Sequence, residues 1–123
     1  MTIEKREHER VKLDRRIAII QSDGSAVYAQ AKDISMTGIA VICQYYCDIG
    51  QQFEIAFHIS GSPNTTQFRA KVITRFMNFV GCNKYQIGMK FQEFKGDSEE
   101  MLKKYIKKRR LQPKYSSDLS FTK

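Results

Sequence analysis

From Phe53 to Ile59 the chain alternates strictly: Phe53, Ile55, Phe57 and Ile59 point one way, Glu54, Ala56 and His58 the other. A period of two marks an extended strand with one face on a core. The same period runs through Phe68, Ala70, Val72, Thr74 and Phe76, set against Gln67, Arg69, Lys71 and Arg75. Shorter apolar stretches predict strands over Val11 to Gln21, Ala26 to Lys32, Gly38 to Cys43 and Tyr85 to Phe91. Ser22-Asp23-Gly24-Ser25, Asp48-Ile49-Gly50 and Gly61-Ser62-Pro63-Asn64 supply turn chemistry between them.

After Asp97 the period changes. Met101, Leu102, Tyr105 and Ile106 make one apolar face at helical spacing, Asp97 and Glu100 form a capping-box pattern, and Pro113 disfavours continuation much beyond Arg110. Strands that follow one another without an intervening helix exclude parallel βαβ units. The expected fold is therefore mainly β, a six-stranded antiparallel β-barrel with a C-terminal α-helix.

Composition narrows this picture. A chain of 123 residues, 41% hydrophobic, has room for one core. The expected organisation is a flexible N-terminal arm over residues 1–10, a barrel with its helix over 11–111, and a disordered tail over 112–123. No apolar run is long enough to span a bilayer and the start of the chain lacks the hydrophobic stretch of a signal peptide, so the expected location is cytoplasmic, without membrane insertion. Cys43, Cys47 and Cys82 are odd in number and without metal-ligand spacing, which favours reduced, structural thiols. Catalysis is not expected, because no nucleophile and base pair, phosphate-cradling glycine loop or metal-type cluster is present; nor is a cofactor.

The net charge of +8 suits an anionic partner, and its distribution is uneven. Lys103, Lys104, Lys107, Lys108, Arg109, Arg110 and Lys114 crowd the C-terminal end, far in sequence from the arginines of the N-terminal arm, so the two basic regions are expected to have separate roles. Arg6 and Arg10 in that arm form R-x-x-x-R, and Asp33-Ile34-Ser35-Met36-Thr37-Gly38 forms D-x-S-x-x-G between the second and third strands. The second motif is the more specific, since it arises by chance in only about 3% of chains of this length at ordinary residue usage.

The two motifs in this order, followed by Tyr85-Gln86-Ile87-Gly88-Met89-Lys90-Phe91 in the last strand, resemble the PilZ-domain family from Arg6 to about Arg110. That resemblance implies a receptor for the bacterial second messenger cyclic di-GMP, with Arg6, Arg10, Asp33, Ser35 and Gly38 as ligand-binding residues and with the arm folding over the ligand. Lys5 and Arg75 are further candidates for added charge at the site.

These residue types suit such a ligand. An arginine fork pairs with phosphate oxygens or with guanine O6 and N7, and its face stacks on a base. The Asp33 carboxylate would accept from guanine N1–H and N2–H, and the Ser35 hydroxyl would donate or accept nearby. Gly38 would permit a positive φ or a close approach of ligand and backbone at the start of the third strand. With no output domain in the sequence, the signal is expected to pass to an unidentified downstream protein.

Two rival readings stand beside this one. A nucleic-acid-binding small barrel is suggested by the charge and by Arg69, Lys71 and Arg75, but most aromatics, including Phe53, Phe57, Phe68 and Phe91, fall on faces expected to be buried, so nucleic acid is not the expected partner. The other rival is a PilZ-like adaptor that docks proteins without binding the nucleotide.

Overall fold

A computed structural model describes residues 9–59 and 67–111. The expectations placed on the arm up to residue 8, including Lys5 and Arg6, on the turn at Gly61 to Asn64 and on the tail from residue 112 lie outside the described residues.

Six antiparallel strands, β1 (Val11–Ile20), β2 (Ala26–Ile34), β3 (Gly38–Cys43), β4 (Gln52–Phe57), β5 (Phe68–Gly81) and β6 (Lys84–Phe94), precede one helix, α1 (Ser98–Leu111). They close into a barrel in the order β1-β2-β3-β6-β5-β4. Sequential hairpins account for β1–β2, β2–β3, β4–β5 and β5–β6. Closure comes from two non-sequential ladders, β3 with β6 through Val41↔Ile87 and β1 with β4 through Ile19↔Ile55. Both pair fully buried or nearly fully buried apolar residues, so closure and core formation are the same event.

The interior is apolar, with Ile17, Ile34, Ile55, Phe68, Val72 and Ile87 all at most 1% exposed. Phe57, Phe68, Phe91 and Phe94 pack ring against ring with centroids 5.0 to 6.1 Å apart. Helix α1 buries Leu102 and Ile106 against the barrel. Each such side chain contributes roughly 1.5–3 kcal/mol on leaving water. The helix start is held differently from the expected capping box. Buried Ser98 accepts the Arg69 backbone N–H on its hydroxyl at 2.9 Å, and among the described residues Asp97 makes no side-chain hydrogen bond.

Three local departures from the alternation matter. Ala56, expected outward, is buried, because both neighbours of the short β4 cover it. Strand β5 runs on to Gly81, where Cys82 and Asn83 take φ of 54° and 59° in a two-residue hairpin turn before β6. Two positive φ values suit the right-handed twist of the flanking strands. The third departure is a register shift between Thr74 and Phe76. Thr74 still faces the core at 0% exposure, whereas Phe76, expected inward, is 40% exposed. An extra residue in one strand of an antiparallel pair turns the side chains after it to the other face.

Candidate functional site

Asp33 is the penultimate residue of β2, opposite Lys12 of β1 and Ala40 of β3. Immediately after it the chain reverses in a tight corner, where the Ser35 N–H donates to the Gly38 carbonyl at 2.9 Å. Ser35 is 1% exposed. Its hydroxyl oxygen accepts the backbone N–H groups of Thr37 at 3.1 Å and Gly38 at 3.3 Å, and lies 3.1 Å from the Thr37 hydroxyl. Serine is favoured in such corners because its short side chain satisfies backbone donors that the turn leaves without a ladder partner.

Gly38 opens β3 directly against β6. A Cβ built there would lie 2.3 Å from the Met89 carbonyl oxygen, so only glycine lets the two backbones approach this closely. Its φ is not positive, and the close approach is to β6. The corner thus hangs on β6, and the Phe91 N–H reinforces it by donating to the Thr37 carbonyl at 2.9 Å.

Above this corner lies an open cavity of about 350 Å³ lined by Arg10, Thr37, Gly38, Arg75, Phe76, Gly88, Met89 and Lys90. Three cations from three separate segments converge on it, and among the described residues no carboxylate lines it. Arg10 donates to the Asp33 carboxylate at 2.5 Å, both side chains being more than a third exposed. An exposed ion pair of this kind is worth only about 0–1 kcal/mol, so Arg10 can re-aim toward an anion at small cost.

The β5 register shift brings both Arg75 and Phe76 to the cavity. Phe76 stands opposite Gly88 in the ladder, and its ring occupies the space a side chain at 88 would fill, with a ring carbon 2.1 Å from an ideal Cβ there. Glycine at 88 is therefore the seat of the Phe76 ring. The cavity offers cations and one half-exposed aromatic ring, which is chemistry for an anion carrying a planar base.

Of the residues expected from sequence, Arg10, Gly38 and Arg75 line this one cavity, Asp33 borders it through its pair with Arg10, and Ser35 lies beneath it with its hydroxyl engaged by the backbone. Arg6 and Lys5 fall outside the described residues. Phe76 and Lys90 escaped the sequence reading. Alternation put Phe76 inside, and Lys90 was legible only as part of the Ile87-Gly88-Met89-Lys90-Phe91 run.

The two basic regions also meet. Arg110 forms an ion pair with Glu9 at 3.0 Å, and the Tyr105 hydroxyl donates to the Lys12 carbonyl at 2.9 Å, so the last turns of α1 sit against the junction of arm and β1. The packing of α1 on β1 thus sets the helix end beside the end of the arm, although the two lie far apart in sequence.

The family model described as PilZ domain matches residues 4–108. This chain belongs to the PilZ domain family. Solved structures similar to this PilZ domain include the Bacillus subtilis inhibitor of motility MotI/DgrA, at 18% identity and a TM-score of 0.74 over 89% of this chain and 53% of that one. The PilZ domain of Escherichia coli YcgR with c-di-GMP matches at 14% identity and a TM-score of 0.68, covering 93% of this chain and 98% of that one. The complex of K. pneumonia MrkH with c-di-GMP matches at 16% identity and a TM-score of 0.66, covering 86% and 52%. The chain thus spans about half the length of MotI/DgrA and of MrkH. A search of the curated proteins finds no match. No helix among the described residues is long and apolar enough to cross a membrane.

Proposed function

We propose that this PilZ domain is a cyclic di-GMP receptor that binds the ligand in the cavity above the Ser35 to Gly38 corner and passes the signal to a partner protein. The observation that carries the reading is the convergence of Arg10, Arg75 and Lys90 around Phe76 in one open cavity. Phosphates would engage the arginine forks, which make charge-assisted and bidentate hydrogen bonds. A guanine edge would meet Asp33, and the base would lie against Phe76. Arg6, four positions before Arg10, would close over the ligand with the arm, and the surface changed by that closure is what the partner reads. Complexes of YcgR and MrkH with c-di-GMP on the same fold support the choice of ligand.

Calorimetric titration with cyclic di-GMP, with GTP and cyclic GMP as controls, tests the reading. The dinucleotide is expected to bind, and Arg6→Ala, Arg10→Ala and Arg75→Ala should each weaken it by about tenfold or more, since a hydrogen bond to a charged group is worth roughly 1.5–3 kcal/mol. Absence of binding to the unmodified chain overturns the proposal. Unchanged affinity in all three variants overturns the site.

A further inference from the structure

Ladder pairing on the β4 side of β5 ends at Gln52↔Ile73, and the loop before β4 adds one residue more, with Thr74 bonded through its N–H to the Gln51 carbonyl and through its carbonyl to the Gly50 N–H. From Arg75 to Gly81 the strand continues with β6 on one edge only. Among the described residues no backbone hydrogen bond reaches its other edge; the loop before β4 touches the stretch only through the Cys47 N–H, which donates to the Met77 sulfur at 3.4 Å. An unpaired edge of this length is a template for another strand.

Proteins usually guard such edges with lysine, proline or inward charge. Arg75 stands at one end here, and Phe76-Met77-Asn78-Phe79-Val80-Gly81 carries neither charge nor proline. The segment is also apolar and open, with Phe79 65% and Val80 49% exposed. Phe79 packs on Tyr85 and Tyr85 on Tyr46, with ring centroids 5.6 and 5.9 Å apart, so the apolar surface extends past the strand onto the loop before β4.

We propose that this edge pairs with the same edge of a second copy of the chain, antiparallel and centred on Asn78. The edge is complementary to itself in that register. A two-fold axis perpendicular to the sheet requires opposed residues to share a face, which places Met77 opposite Phe79 twice, Arg75 opposite Gly81, and Asn78 opposite Asn78. Apolar residues meet apolar ones, the two Arg75 side chains stay apart, and the central amides, being donor and acceptor at once, bond each other. The regular stretch from Phe76 to Phe79 holds the central pairs of the new ladder, Met77 with Phe79 and Asn78 with Asn78. Two β-barrels are thereby joined edge to edge, with no requirement for ligand.

Sedimentation equilibrium of the full chain up to about half a millimolar, a range suited to a modest interface, tests this. The unmodified chain should dimerise, and added salt should hold or strengthen the dimer because each copy carries a net charge of +8. Asn78→Lys and Asn78→Asp each set like charges directly opposite at the two-fold axis and should weaken association about tenfold or more. An equimolar mixture of the two variants should recover a heterodimer, and circular dichroism should be the same for all three proteins. A chain that stays monomeric throughout the range overturns the proposal and leaves the edge to a strand of a different protein. A dimer that both variants preserve, or that the mixture fails to restore, overturns the Asn78 register and the edge with it.

Discussion

Replacing Ser35 by alanine separates two roles that the D-x-S-x-x-G motif allows. Its hydroxyl is buried and accepts two backbone N–H groups, one from exposed Thr37 and one from buried Gly38. Alanine leaves both donors without this acceptor. The Thr37 N–H can turn to water at little cost, whereas an unsatisfied buried donor costs about 1–3 kcal/mol. Ser35→Ala should therefore destabilise the ligand-free protein by about 1–2 kcal/mol, which for a domain of this size lowers Tm by roughly 3–10 °C. Urea and thermal denaturation of the free chain measure this, and titration with cyclic di-GMP in parallel measures affinity. Affinity should fall as well, because Gly38 lines the cavity and loses its anchor. An unchanged Tm with a tenfold loss of affinity would refute the reasoning, since it would mean that the hydroxyl is free to read the ligand and that the corner holds without it.

Two glycines should behave oppositely on substitution. Gly38→Ala drives a methyl into the Met89 carbonyl oxygen, which belongs to backbone and cannot swing aside, so a loss of about 1–3 kcal/mol is expected by urea denaturation. Gly88→Ala displaces only the exposed Phe76 ring, so stability should change little while cyclic di-GMP affinity drops; equal destabilisation by both would contradict the seat assigned to Phe76. Among the thiols, burial, with Cys43 and Asp48 adding, pushes Cys47 from 9.0 up to about 11. The folded state therefore favours the protonated thiol, and the stability this contributes is complete below about pH 9 and lost as pH rises through about 11. At pH 8 exposed Cys82 should react with a thiol reagent well ahead of Cys43 and Cys47, and equal rates for all three would count against their burial.

The strands were legible in the sequence because alternation is a local record of which face meets the core. Phe53, Ile55 and Phe57 declare β4 whatever lies beside it, and Met101, Leu102, Tyr105 and Ile106 declare a helix in the same way. The corner at Asp33 to Gly38 was legible as a motif, and its serine answers to turn geometry within six residues, whereas its glycine answers to the approach of β6 at Met89. The sequence by itself therefore determined the strand content, the helix and the motif that marks the family. Tertiary structure alone decided which strands close the barrel, because β1 with β4 and β3 with β6 pair across long separations that no local period encodes. It also decided that Phe76 faces the cavity, since a one-residue register shift reverses every side chain after it and depends on β6 as much as on β5. Ser35 looked available to a ligand until the fold buried it, and Arg110 looked remote from the arm until α1 packed on β1 and set it beside Glu9. The chain writes its periods locally, but partners, bulges and burial follow from which surfaces find each other when the barrel closes.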